Sequence, residues 1–168
     1  MAVAGAQYRD HRRWPAVDHV IAILLPVLGA RSAGDTVRLV TPEDVVHSHY
    51  AGIAARDLTA ALAPLHRDVE WVFSGPQSIP FAGTFHGIEG VRRFFDQIRG
   101  AVVVEEFSIT EMIREGNRVV VLGHETMTVK STGRHWSSEW AQVHEVVENR
   151  IRRFREFADT HAIAAAFT

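Results

Sequence analysis

A chain of 168 residues with 46% hydrophobic and 23% charged side chains has the size and composition of one folded domain with one core, so disorder is not its default. A formal charge of -2 supplies no broad positive field, which sets nucleic acid aside as a partner. The absence of cysteine excludes disulfides, thiolate zinc sites and cysteine nucleophiles together.

Residues 1–40 read as an extension to a domain spanning residues 41–168. In "YRDHRRWPAVDHVIAILLPVLGARSAGD" arginines precede the apolar run Val20 to Ala30, and small residues follow it, which is the order of a secretory signal. The run is shorter than the ~20 residues that cross a bilayer, so no membrane span is expected. Three readings stay open: an exported precursor, an extra helix, or sequence translated upstream of the natural start. The location expected is cytoplasmic, or exported if residues 1–33 act as a signal.

From Thr41 the elements follow in order. Thr41 as N-cap, Pro42 at the first helical position and Glu43 and Asp44 in the first turn open a helix, and Val46, Tyr50 and Ile53 give it one buried face. A second short helix is expected after Asp57, with Leu58, Leu62 and Leu65 apolar and a stop near Pro64. Val69, Trp71 and Phe73 alternate with Glu70 and Ser74 as a half-buried strand. Next, "SGPQSIPFAGTFHG" places Ile79, Phe81 and Phe85 in a stretch punctuated by proline and glycine. Apolar side chains in a loop imply that it covers something apolar, and a pocket is the candidate.

The helix "GIEGVRRFFDQIRG" carries a stripe of Val91, Phe94, Phe95 and Ile98. Four strands are then predicted over about residues 102–113, 118–130, 135–147 and 150–159, joined by short turns at Glu115-Gly116-Asn117, Ser131-Thr132-Gly133 and Glu148-Asn149. Short turns make neighbouring strands antiparallel, so the chain is read as α+β with helices on one sheet face.

That order, with "RDLTAALAPLHRDVEWVF", "PFAGTFHGIEGVRRFF", "NRVVVLGHETMTVKSTGR" and "NRIRRFREFADT", resembles the SnoaL-like and ketosteroid isomerase-like branch of the nuclear transport factor 2-like superfamily, from Thr41 to Thr168. The resemblance implies a cone-shaped curved antiparallel sheet of about five strands plus a short one. Helices would pack on its concave face over an apolar cavity. It also implies a homodimer through the outer sheet face, where His124, Thr126, Ala141, Val143 and Phe157 are candidate contacts. Ile79 to Phe85 would then form part of the cavity rim.

Beside the limonene epoxide hydrolase pattern, Glu125 and Glu156 fall where that enzyme's two acids sit, on what are expected to be neighbouring inward strands. Its arginine falls on Gly123, and its tyrosine and asparagine fall on Trp71 and Phe73, which argues against epoxide hydrolysis by that route. Against ketosteroid isomerase, the base falls near Phe73 and the second aspartate near Gln142, and only the first-helix tyrosine has a near match at His49 or Tyr50. Steroid isomerisation is therefore not expected.

Two carboxylates in a low-dielectric cavity cannot both ionise comfortably, so one would serve as acid and the other as base. Glu125, Glu156, His49 and Tyr50 are the candidate catalytic residues. A one-residue shift of register would turn both acids to solvent, where Glu156 would join Arg153 and Arg155 in surface ion pairs. Trp71, Phe73, Ile79, Phe81, Phe85, Phe95 and Phe154 are candidate pocket lining. Ser138, Trp140, Gln142 and His144 join them because a polar series on one strand face is easier to house in a cavity than in a solid core.

His47 and His49 fall on different helix faces, and His124, His135 and His144 lack a ligand spacing, so no metal is expected. The chain contains no phosphate-loop, dinucleotide or serine-hydrolase motif, and no cofactor is expected. Two functions remain. One is a cofactor-independent isomerase, cyclase or hydrolase acting on a small apolar ligand that bears oxygen. The other is a non-catalytic ligand-binding or dimeric interaction domain.

Overall fold

The computed structural model describes residues 39–168, and the readings made of residues 1–38 lie outside it. Helix α1 (Pro42–Ala54) starts on a capping box: the Thr41 side chain accepts from the Asp44 backbone N–H while the Asp44 carboxylate accepts from the Thr41 backbone N–H at 2.8 Å. Helix α2 (Leu58–Leu62) is capped by Asp57, which accepts from the Ala60 N–H. A Cβ at Gly52 would sit 2.2 Å from the Ala61 backbone nitrogen, so only glycine lets these two helices approach so closely.

Strand β1 (Leu65–Phe73) follows, then the short β2 (Gly83–His86), α3 (Gly87–Ala101), β3 (Val102–Glu115), β4 (Arg118–Val129), β5 (His135–Val147), β6 (Arg150–Ala158) and a closing helix α4 (Thr160–Phe167). The short helix ends sooner than expected and β1 begins earlier, at Leu65, because Leu65 is already paired with Ile151 of the last strand. Helix α4 was not apparent from the sequence. Its N-cap Asp159 accepts from the Ala162 N–H, and Thr132 Oγ1 donates to the Ala166 carbonyl, tying it to the β4–β5 turn.

The six strands form one sheet in the order β2-β1-β6-β5-β4-β3. All neighbours run antiparallel except β1 and β6, which are parallel, so the curved, unclosed sheet is mixed rather than wholly antiparallel. Register shifts in the β3–β4 ladder between Val104 and Glu106 and between Ile109 and Glu111 are bulges of the kind that bend a strand. Glu148 and Asn149 hold positive φ in the two-residue β5–β6 turn, the backbone that matches the twist of a tight hairpin.

Burial alternates strictly along β4: Val119, Val121, Gly123, Glu125, Met127 and Val129 are buried, and the residues between them are half-buried. The inner face packs against α1, α3 and α4, and the core gathers there around Trp71, Phe73, Phe81, Phe94, Trp136 and Phe154. On the opposite face His124, Thr126, Ala141 and Val143 are half-buried and Phe157 is 55% exposed. Among the described residues no helix is long and apolar enough to cross a membrane.

Candidate active site

Between the concave sheet face and the helices lies a cavity of about 160 Å³, walled by aromatic and aliphatic side chains. Both acids face it. Glu125 is 4% and Glu156 7% exposed, which settles their strand face as inward. They are not on neighbouring strands, however: β5 runs between them, with Ser138 opposite Glu125 and Gln142 opposite Glu156. Sheet curvature, rather than adjacency, turns both carboxyls into one space.

Each acid is held by a specific donor. The Trp136 indole N–H donates to Glu125 Oε1 at 2.7 Å. Gln142 hydrogen-bonds to Glu156, and the Tyr50 hydroxyl donates to Gln142 Oε1. With the Gln142 oxygen committed to Tyr50, its NH₂ is the group that donates to Glu156. Burial raises Glu125 to about 7 against the opposing effect of the Trp136 hydrogen bond. Burial and then the Glu125 charge push Glu156 well above the usual carboxylate range, while the Gln142 bond pulls the other way. Tyr50 also lies well above its ordinary value, through burial and then the neighbouring Glu156.

Helix α1 delivers His49 and Tyr50 to the cavity wall. His49 Nδ1 lies 2.7 Å from the Ala61 carbonyl, so Nδ1 carries the proton and Nε2 is left as an acceptor. Burial lowers His49 to about 4, and the ring is neutral near pH 7.

Of the expected lining residues, Trp71, Phe73, Phe81, Phe95, Gln142 and Phe154 do line the cavity. Five others do not. Ile79 is 1% exposed within the core, with its Cδ1 against Gly75. Phe85 packs edge-on against Phe94, over Gly90, outside the cavity. Ser138 is half-buried, and its hydroxyl has no partner among the described residues. His144 is completely buried behind the wall, its ring edge against Phe154 and Tyr50. Burial and then the nearby His49 lower it to about 3.

Trp140, the fifth, lies across Gly123 and stacks on Phe107 with ring centroids 4.8 Å apart. A Cβ at Gly123 would come within 2.1 Å of the Trp140 ring. The indole therefore occupies the space that an arginine side chain at this position would need.

Trp136, the partner of Glu125, extends the period-two series Ser138, Trp140, Gln142, His144 by one step, and that step is the signal in the sequence that marks it as inward. Phe107, Val104 and Val102 of β3 and Met127 of β4 also line the cavity. The bulges in β3 scramble its alternation and conceal its inward residues.

The sequence model of the SnoaL-like domain family matches residues 46–154. Among curated proteins none matches. Similar solved structures include a nuclear transport factor 2-like protein from Burkholderia xenovorans, 28% identical, covering 76% of this chain and 95% of its own, with a TM-score of 0.68. Another, from Burkholderia thailandensis, is 26% identical, covers 77% and 99%, and has a TM-score of 0.71. A candidate SnoaL-like polyketide cyclase from Mesorhizobium loti shares the fold at 16% identity, covering 70% and 99%, with a TM-score of 0.59.

Proposed function

The chain belongs to the SnoaL-like domain family, and from that premise we propose that it is a small-molecule enzyme of the isomerase, cyclase or hydrolase kind, moving protons on an apolar, oxygen-bearing substrate. The observation that carries this reading is the pair of buried carboxyls, Glu125 and Glu156, facing one greasy cavity and each held by its own donor. A pair that shares one low-dielectric space keeps a proton on one member while the other ionises, which is the division of labour that acid–base chemistry needs.

Burial raises both acids and the Glu125 charge raises Glu156 further, so Glu125, whose carboxylate form the Trp136 indole stabilises, is assigned as the base and Glu156 as the acid. With a ketone bound, the Glu125 carboxylate takes a proton from the carbon next to the carbonyl while the Glu156 carboxylic acid gives its proton to the carbonyl oxygen, forming an enol. Reversal of the two transfers restores the ketone. Tyr50 and Gln142 orient Glu156, and Trp136 orients Glu125.

The rival reading, a ligand-binding domain without chemistry, is favoured by Gly123, whose place is filled by Trp140 instead of a charged side chain. One experiment separates the two. In D₂O the enzyme is expected to exchange the α protons of cyclohexanone for deuterium, followed by NMR, and Glu125→Gln and Glu156→Gln are each expected to slow exchange by about 100-fold or more while keeping the fold. Exchange no faster than buffer alone, or undiminished in both variants, rules out the acid–base role.

A further inference from the structure

The cavity is small, closely walled and charged with one sign. Its volume, about 160 Å³, is close to the ~150 Å³ of an apolar cavity that holds one benzene ring. Trp71 and Phe154 form a stiff part of the wall, stacked with centroids 3.6 Å apart and planes within 9°. Glu125 and Glu156 face the space, and among the described residues no lysine or arginine lines it. His49, the wall's one histidine among them, is neutral near pH 7 because burial holds it at about 4.

The lining residues that retain solvent exposure include Ile53, Ile98, Val104 and Phe107, so the mouth they form is apolar.

Resting on the acid–base reading above, we infer that this site takes an uncharged, single-ring carbonyl compound, and that the same two glutamates turn away carboxylate ligands of equal size. An anion would be stripped of water beside a carboxyl pair that already resists carrying two charges, with no cation to receive it. Specificity then comes partly from repulsion built into the catalytic pair. A second fused ring would have to lie in the apolar mouth or force the packed rings of Trp71, Phe154 and Trp136 apart.

The test is a binding titration of the full chain at pH 8 by calorimetry and by the Trp136 indole N–H signal, with cyclohexanone, cyclohexanecarboxylate and 1-decalone as probes. Cyclohexanone is expected to bind and shift the Trp136 signal, and the other two to bind about 10-fold more weakly or worse. In the Glu125→Gln/Glu156→Gln variant the gap between ketone and carboxylate is expected to close to within about 3-fold while the 1-decalone gap persists, and each single variant is expected to close it partway.

Equal binding of ketone and carboxylate by the parent chain, 1-decalone binding as tightly as cyclohexanone, a gap unchanged by the substitutions, or no binding of cyclohexanone overturns the inference. Selective binding without α-proton exchange removes the acid–base reading and leaves the ligand class intact. Exchange without selectivity does the reverse.

Discussion

Glu125 sits between two opposing influences, and Trp136 is the one that can be removed by substitution. The indole hydrogen bond at 2.7 Å stabilises the carboxylate form, whereas burial disfavours it and raises the group to about 7. Trp136→Phe keeps an aromatic ring in the wall and deletes the donor. The proton on Glu125 is then held more tightly, so the midpoint moves further above 7. Carboxyl-carbon NMR titration is expected to show a rise of about 1 unit, equivalent to ~1.4 kcal/mol, and the rising limb of the exchange rate against pH is expected to move by the same amount. An unmoved or lowered midpoint would mean that the indole does not hold the carboxylate.

The same residue scale shows what the sequence disclosed of the site. The face of Glu125 was not legible, because the unbroken apolar run Val119 to Leu122 leaves the strand register ambiguous, and only the alternating burial of β4 places the acid inside. Gln142 was legible as part of a polar series. His144 and Trp140 share that series yet miss the cavity, because strand period fixes a face and not the depth behind it. His144 is covered by Tyr50 and Phe154, and Trp140 is drawn aside by the missing side chain at Gly123.

At the scale of elements, α1 depends on its start. Thr41 and Asp44 satisfy each other's backbone N–H groups, and the helix they anchor carries His49 and Tyr50 to the cavity. Thr41→Ala removes one half of that exchange and is expected to lower the unfolding free energy by about 1 kcal/mol in urea titration. This cap was visible in the sequence because Thr-Pro-Glu-Asp combines an N-cap, a first-turn proline and acids at the helix start. Helix α4 was not visible. "THAIAAAF" has little polar alternation, and the helix draws its place from tertiary contact, with Phe167 against Phe81 and Trp136. Parallel pairing of β1 with β6 was equally hidden, since adjacent turns report only on strands that are neighbours in sequence.

For the whole molecule, the buried titratable groups set stability against pH from both sides. Glu125 and Glu156 have raised folded values, so the unfolded chain loses these protons first and stability falls as pH rises from about 4.5 through 7 and beyond. His49 and His144 have lowered folded values, about 4 and 3, so the unfolded chain gains protons first and stability falls as pH drops from about 6.5 through those values. The two trends oppose each other between about 4.5 and 6.5. Thermal melts are expected to peak in that interval and to decline toward pH 3 and pH 9. Glu125→Gln/Glu156→Gln is expected to flatten the alkaline decline and to leave the acidic decline in place. A double variant that melts lower than the parent at pH 9 would contradict this account.

The parallel seam also governs when the sheet can be completed. Leu65 pairs with Ile151, and Phe73 with Glu156, so β1 has no partner on that edge until the last strand has been synthesised. A ribosome can extrude the β3–β4–β5 meander and let it zip locally, but the β1–β2 pair can join that sheet only when β6 arrives. Closure is consequently a late, long-range event of the slow kind, and it assembles the cavity at the same moment, because Glu156 arrives on the strand that closes the seam.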